Sequence, residues 1–163
     1  MTVTRTRGRN GRGPDEVSEL DKRIIEHLQQ DGRRPFTQIA AELGVSEAAV
    51  RARTNRLVER GILQVVGVTD PLKLGFQQMA MVGIRCERDR LVGVAEAVAA
   101  FPEVDYVVIT AGTYDVLIEV VCEDNAALLD FLAERLRAIE GVRDTETLMY
   151  LRMVKQTYQW GTR

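Results

Sequence analysis

The chain has 163 residues, room for one large domain or two small ones, and its 45% apolar and 28% charged residues are ordinary for a globular protein. No apolar run nears the ~20 residues that span a bilayer, and the basic N-terminus lacks the apolar stretch of a secretory signal, so a membrane-spanning or exported protein is not expected. The net charge of −2 is uneven: +4 over residues 1–14, −1 over 15–65 and −5 over 66–163. Two parts with different partners are expected from such a split.

Residues 1–14, "MTVTRTRGRNGRGP", are too polar to bury surface against their ordering entropy and predict a disordered basic arm. Its four arginines suit either phosphates or a solvated tail. "SELDKRIIEHLQQDG" then repeats Leu20, Ile24, Ile25 and Leu28 at helical spacing, with Ser18 as cap and Gly32 as stop. "PFTQIAAELG" predicts a short helix that buries Ile39, Ala40 and Leu43, with Pro35 in the first turn and Gly44 at the end. "SEAAVRARTNRLVERG" predicts a third helix, capped by Ser46, with Val50, Thr54, Leu57 and Val58 inward and Gly61 as stop. With "ILQVVGV" (62–68) as a strand, residues 15–66 read as a winged helix-turn-helix.

"TDPLKLGF" marks a linker, 67–76, because Asp-Pro breaks any continuing element. Over 77–163 the period changes. "QQMAMVGIRC" predicts a buried strand, and "DRLVGVAEAVAAF" a helix with Leu91, Val94, Ala95, Val98 and Phe101 on one face. "VDYVVIT" and "YDVLIEVVC" predict two strands. "NAALLDFLAERLRAIEG" predicts one helix from Asn125 to Gly141 carrying Leu128, Leu132, Leu136 and Ile139, and "ETLMYLRMVKQ" a final strand. The order βαββαβ is the ferredoxin-like pattern, so the fold class is α+β, a winged helix-turn-helix domain followed by a ferredoxin-like domain. Cys86 and Cys122 end the first and third strands; taken as parallel neighbours, their thiols would lie together, as core fillers or a redox pair.

Two constellations carry chemistry. On the third helix, the face opposite the apolar one offers Glu47, Ala48, Arg51 and Asn55, flanked by Arg53 and Arg56. Arginine bonds guanine bidentately in the major groove and asparagine adenine, while Ser46 and the helix N-terminus suit a phosphate. The competing reading is an ordinary solvated helix face. In "TAGTYDV", Ala111, Gly112, Thr113 and Tyr114 form a turn that delivers Asp115 to the start of an apolar strand. Asp115 is either a residue at the strand's wet end or the partner of an ammonium group, with turn N–H groups receiving the matching carboxylate of a free amino acid.

Catalytic machinery is not found: there is no phosphate loop, no Gly-x-Ser-x-Gly and a single histidine, His27, on a helix. A metal site is not expected either, since no Cys-x-x-Cys pair accompanies that histidine. Reduced thiols and a cytoplasmic, nucleoid-associated location are expected. Tyr158 and Trp160 are read as packing or interface groups.

The blocks "LDKRIIEHLQQDGR", "IAAELGVSEAAVRARTNRLVERGIL", "DPLKLG", "TAGTYDV" and "TETLMYL", in this order, resemble the Lrp/AsnC family of bacterial and archaeal regulators over residues 18–156. The resemblance implies a DNA-binding domain joined to an effector and assembly domain; neither enzymatic activity nor a cofactor is expected. It implies dimers built sheet to sheet that associate into tetramers, octamers or larger rings, with an amino acid bound between dimers. By matching position, Ser46 to Arg56 correspond to the recognition helix. Gly112 and Asp115 match the family's hairpin motif, and Thr145 and Thr147 match positions lining its pocket. Pro35 departs from the capping serine common there. The rival readings are an architectural DNA-binding protein without an effector and an enzyme built on the ferredoxin-like half, for which no nucleophile or acid–base pair is found.

Overall fold

The computed structural model describes residues 17–157 together with 161 and 162; the arginine arm, Tyr158 and Trp160 lie outside them. Over the described residues the chain forms two compact units, one of residues 17–67 with 157, 161 and 162, the other Val68–Gln156.

In the first unit α1 (Glu19–Gln30) opens with a capping box: the Ser18 hydroxyl accepts the Asp21 N–H while the Asp21 carboxylate accepts the Ser18 N–H. Pro35 stands one position before α2 (Phe36–Leu43), as its N-cap with no side-chain bond. Gly44, at φ 68°, then turns the chain into α3 (Glu47–Glu59). A left-handed backbone is needed there, which glycine adopts without steric penalty. Ile24, Ile25, Leu28, Ile39, Ala40, Val50, Leu57 and Leu63 make the core of this unit. Each large aliphatic among them contributes roughly 1.5–3 kcal/mol of burial. Thr54 is also inward, its buried hydroxyl without a hydrogen-bond partner among the described residues.

The expected wing does not form: residues 62–68 are not a strand, and Val65, Val66 and Val68 are exposed. A strand requires a hydrogen-bonded neighbour, and this unit contains no other strand among the described residues; only Leu63 is drawn into the core. The linker, for its part, contains a helical turn, α4 (Pro71–Leu74), capped by Asp70 and ended by Gly75 at φ 104°. Proline at the first helical position starts a turn as readily as it stops one.

The second unit is a four-stranded antiparallel sheet, β1 (Gln78–Cys86), β2 (Val104–Ile109), β3 (Val116–Cys122) and β4 (Val142–Met149), in spatial order β2-β3-β1-β4. Helix α5 (Leu91–Ala99) and α6 (Asn125–Asp130) with its π-helical continuation Phe131–Leu136 complete the βαββαβ order. Ala80, Val82, Ile84, Val116, Ile118 and Val120 meet Val94, Val98, Phe131 and Leu136 in its core.

Three sequence expectations change here. The last strand starts at Val142 and stops at Met149, instead of spanning 146–156, because β1 offers partners only from Cys86, opposite Val142, to Ala80, opposite Met149. The last helix begins at Asn125 as expected, with Asp124 as its cap, but it widens to i→i+5 winding from Phe131 and ends at Leu136, short of Gly141. That winding brings Phe131 and Leu136, five residues apart, onto one fully buried face. Finally, β1 and β3 run antiparallel: Cys122 lies opposite Gln78, at the far end of β1 from Cys86. Eight residues of strand put the two thiols about 27 Å apart, far beyond disulfide reach. Burial raises both thiol pKa values, so each is a core filler.

Candidate DNA interface and effector hairpin

The outward face of α3 exposes Ser46, Ala48, Arg51, Asn55 and Arg56, with Glu47 and Arg53 half-exposed beside them. The Ser46 oxygen accepts the Ala49 N–H, which seals the first turn. Arg51 pairs with Glu47 at 2.6 Å and lies 5.3 Å above the Phe36 ring, so its guanidinium is braced by α2 yet open to solvent. Ala48 and Asn55, one turn to either side of it, are exposed.

Arg53 and Arg56 are differently employed. Both reach back to Asp21 on α1: Arg53 Nη1 donates to Oδ1 at 2.9 Å and Arg56 Nη2 to Oδ2 at 3.2 Å. Asp21 is 1% exposed and also accepts the Ser18 hydroxyl at 2.6 Å. Burial alone would raise its pKa, but the hydrogen bonds from Ser18 and Arg53 and the nearby charge outweigh it and hold the carboxyl below its ordinary value. These two arginines thus clamp α3 onto α1, and Asp21 is a site residue the sequence reading missed. Its visible signal was the Ser-x-x-Asp spacing, which marks a capping box; nothing local in the sequence links it to arginines more than thirty positions away.

The hairpin between β2 and β3 answers why a carboxylate enters an apolar strand. Asp115 Oδ2 accepts the Cys86 N–H at 2.7 Å, where the β1–β4 register slips between Arg85 and Cys86. The bulge leaves that N–H without a strand partner, and the carboxylate supplies one. Backbone bonds from Asp115 N–H to Ile84 and from Thr110 N–H to Asp115, both 2.9 Å, lock the turn. Among the described residues Oδ1 accepts nothing.

Ala111, Gly112 and Thr113 form the exposed tip. Gly112 is not left-handed, and a side chain there would meet open space. The Tyr114 ring lies on Gly83, where an added Cβ would come within 2.6 Å of it. Its hydroxyl donates to Glu146, whose carboxylate raises the phenol pKa. Arg85 stacks on the same ring at 5.2 Å, donates to the Thr113 carbonyl at 3.1 Å and pairs with Asp144 at 2.6 Å. Gly83, Arg85, Asp144 and Glu146 escaped the sequence reading, although an isolated glycine inside an apolar strand is itself a sign of close approach.

Thr145 and Thr147 are half-buried and pair with Ile84 and Val82, so they share the helix side of the sheet. Tyr114 packs instead over Gly83, on the other side. The hairpin and the two threonines therefore flank β1 from opposite strands, about 10 Å apart by strand spacing, and one chain does not gather them into a single pocket. Among the described residues no group of three His, Cys, Asp or Glu is placed to hold a metal, and no helix is long and apolar enough to cross a membrane.

Comparison with known proteins agrees with both halves. The AsnC-type helix-turn-helix domain model matches residues 17–58, and the Lrp/AsnC ligand binding domain model matches residues 79–160. An HTH-type transcriptional regulator of Pyrococcus horikoshii is 35% identical over 147 residues, 90% of each chain. Among solved structures, Escherichia coli AsnC has a TM-score of 0.77 at 24% identity, covering 86% of this chain and 96% of its own. A Neisseria meningitidis transcriptional regulator in complex with L-Met has a TM-score of 0.78 at 23% identity, covering 88% and 95%. The chain belongs to the Lrp/AsnC family of HTH-type transcriptional regulators, which are not enzymes.

Proposed function

We propose that the protein binds double-stranded DNA sequence-specifically through α3 and alters that binding when a free amino acid occupies a site built on the β2–β3 hairpin. Arg51, Asn55 and Ala48 read base edges in the major groove. Glu47 orients Arg51, Ser46 with the N-terminus of α3 holds a phosphate, and so do Arg53 and Arg56, whose first duty is to fix α3 against Asp21. Two such helices in a dimer address half-sites about one helical turn, or a multiple, apart.

The observation that carries the effector reading is the unfilled side of the hairpin. Asp115 has one carboxylate oxygen free of partners among the described residues, beside a glycine that neither backbone conformation nor packing within the chain requires. An ammonium group suits Oδ1, and the N–H groups of the exposed tip suit the α-carboxylate. Thr145 and Thr147 join from β4 or from a neighbouring copy. Support for the ligand class comes from the Neisseria regulator of the same fold, which binds L-Met. Dimers, and tetramers, octamers or larger rings of them, are the assemblies through which differential affinity for the ligand reaches the DNA.

The test is a melting-shift screen of the twenty amino acids combined with DNA footprinting. Asp115→Asn keeps an oxygen for the Cys86 N–H but loses the charge, so it is expected to fold and to lose the ligand shift while binding DNA normally without ligand. Arg51→Ala is expected to weaken specific binding by about 1–3 kcal/mol at one or two base positions. A wild-type protein indifferent to every amino acid would leave the architectural reading, and an unchanged footprint for Arg51→Ala would remove α3's proposed face.

A further inference from the structure

We propose that a groove along the start of β4 is an anion subsite, and that the effector is an amino acid with a second carboxylate; this rests on the amino-acid reading of the hairpin. The groove encloses about 380 Å³ and is lined by Arg137, Val142, Arg143, Asp144 and Thr145. Its charge is not balanced from within. Asp144 is taken by Arg85 at 2.6 Å, and Glu140 nearby in the chain is taken by Arg90 at 2.6 Å. Arg135 likewise has Glu103, at 2.5 and 3.0 Å. Arg137 and Arg143 are exposed and, among the described residues, have neither ion pair nor hydrogen bond. Two guanidinium groups on one concave surface repel each other, and a carboxylate between them converts that repulsion into paired charge-assisted bonds, with the Thr145 hydroxyl as a further donor.

Position ties the groove to the hairpin. Arg137 directly follows the π-helical turn, where buried Leu136 leaves it facing out, and such turns recur at functional sites. Val142 pairs with Cys86, whose N–H is held by Asp115, and Thr145 pairs with Ile84, whose carbonyl accepts the Asp115 N–H. The groove thus begins one strand spacing, about 5 Å, from the backbone that Asp115 grips. A ligand with its amine at Asp115 reaches the groove by running past Cys86 and Val142, across the end of β1, and an acidic side chain is the complement the arginines lack.

Calorimetry on the full-length protein with L-glutamate, L-aspartate, L-glutamine, L-asparagine, succinate and inorganic phosphate tests this. Glutamate or aspartate is expected to bind at least about tenfold more tightly than its amide, and Arg137→Gln and Arg143→Gln each to remove about tenfold of affinity and most of that preference. Both positions are exposed, so the variants retain the fold. An amide binding as tightly as its acid, or a double arginine variant that binds unchanged, overturns the proposal. If neutral amino acids bind and Asp115→Asn abolishes that binding, the hairpin reading stands and the anion subsite falls. If only succinate or phosphate binds, in a manner dependent on the arginines, the subsite stands and Asp115's role towards an amine falls.

Discussion

Asp21 and Asp115 are the two carboxylates that decide most at the scale of single residues, and both work by satisfying donors that the backbone or a neighbouring helix leaves open. Asp21 is buried with two guanidinium groups and a hydroxyl around it, so its neutralisation removes the charged part of the tie between α3 and α1. Its folded pKa lies below the ordinary 3.8. Protonation is therefore easier in the unfolded chain, and the stabilisation is complete above about pH 4 and lost as pH falls through the folded value. Wild type is expected to lose melting temperature steeply below pH 4. Asp21→Asn, already lacking the charge, should melt lower at neutral pH and show a flatter acid limb. Parallel acid limbs in thermal melts of the two proteins would remove Asp21 as the titrating clamp.

Between elements, one ring in one gap adds to the Asp115 and Arg85 bonds that hold the hairpin to the sheet. Tyr114 fits over Gly83 because there is no Cβ, and from that position it reaches Glu146 on β4 and supports Arg85. Gly83→Ala pushes the ring off, at an expected cost of about 1–3 kcal/mol, the usual range for overpacking. In a Tyr114→Ala background the obstruction is gone, and the same substitution should cost little. Urea melts of the four proteins form a double-mutant cycle; an equal cost in both backgrounds would mean that the ring is not what the glycine accommodates. The contrast with Gly112 is instructive, since no such intramolecular reason exists there.

For the molecule as a whole, the sheet face away from α5 and α6 exposes apolar side chains around Leu148 and Tyr106, beside the charged group at the hairpin end. Leu148 pairs in register with Met81, and Tyr106 and Leu148 are each about half exposed. Glu119, amid this face, stands beside Tyr150, whose phenol is pushed up to about 12 by burial and by that carboxylate. A face of this kind suits a second copy of the chain. Leu148→Glu is expected to reduce the assembly mass measured by sedimentation, and an unchanged mass would move the contact elsewhere.

Local rules sufficed for much of this protein. Helical spacing located α1 to α3 and α5; Ser18, Ser46, Gly44 and Gly75 acted through their own turns; and alternation and turn residues yielded the βαββαβ order, because each of these depends on neighbours within a few positions. Arg51 and Asn55 were legible as an outward face for the same reason. What only the tertiary structure decided involves partners distant in sequence. Residues 62–68 lack a strand to pair with, β4 is bounded by the length of β1, and antiparallel pairing separates Cys86 from Cys122. Arg53 and Arg56 turn to Asp21, Asp115 to an N–H freed by a bulge, and Arg137 meets Arg143 across a helix end and a strand start. Such pairings follow from where the chain returns in space, and one-dimensional periodicity carries no information about that return.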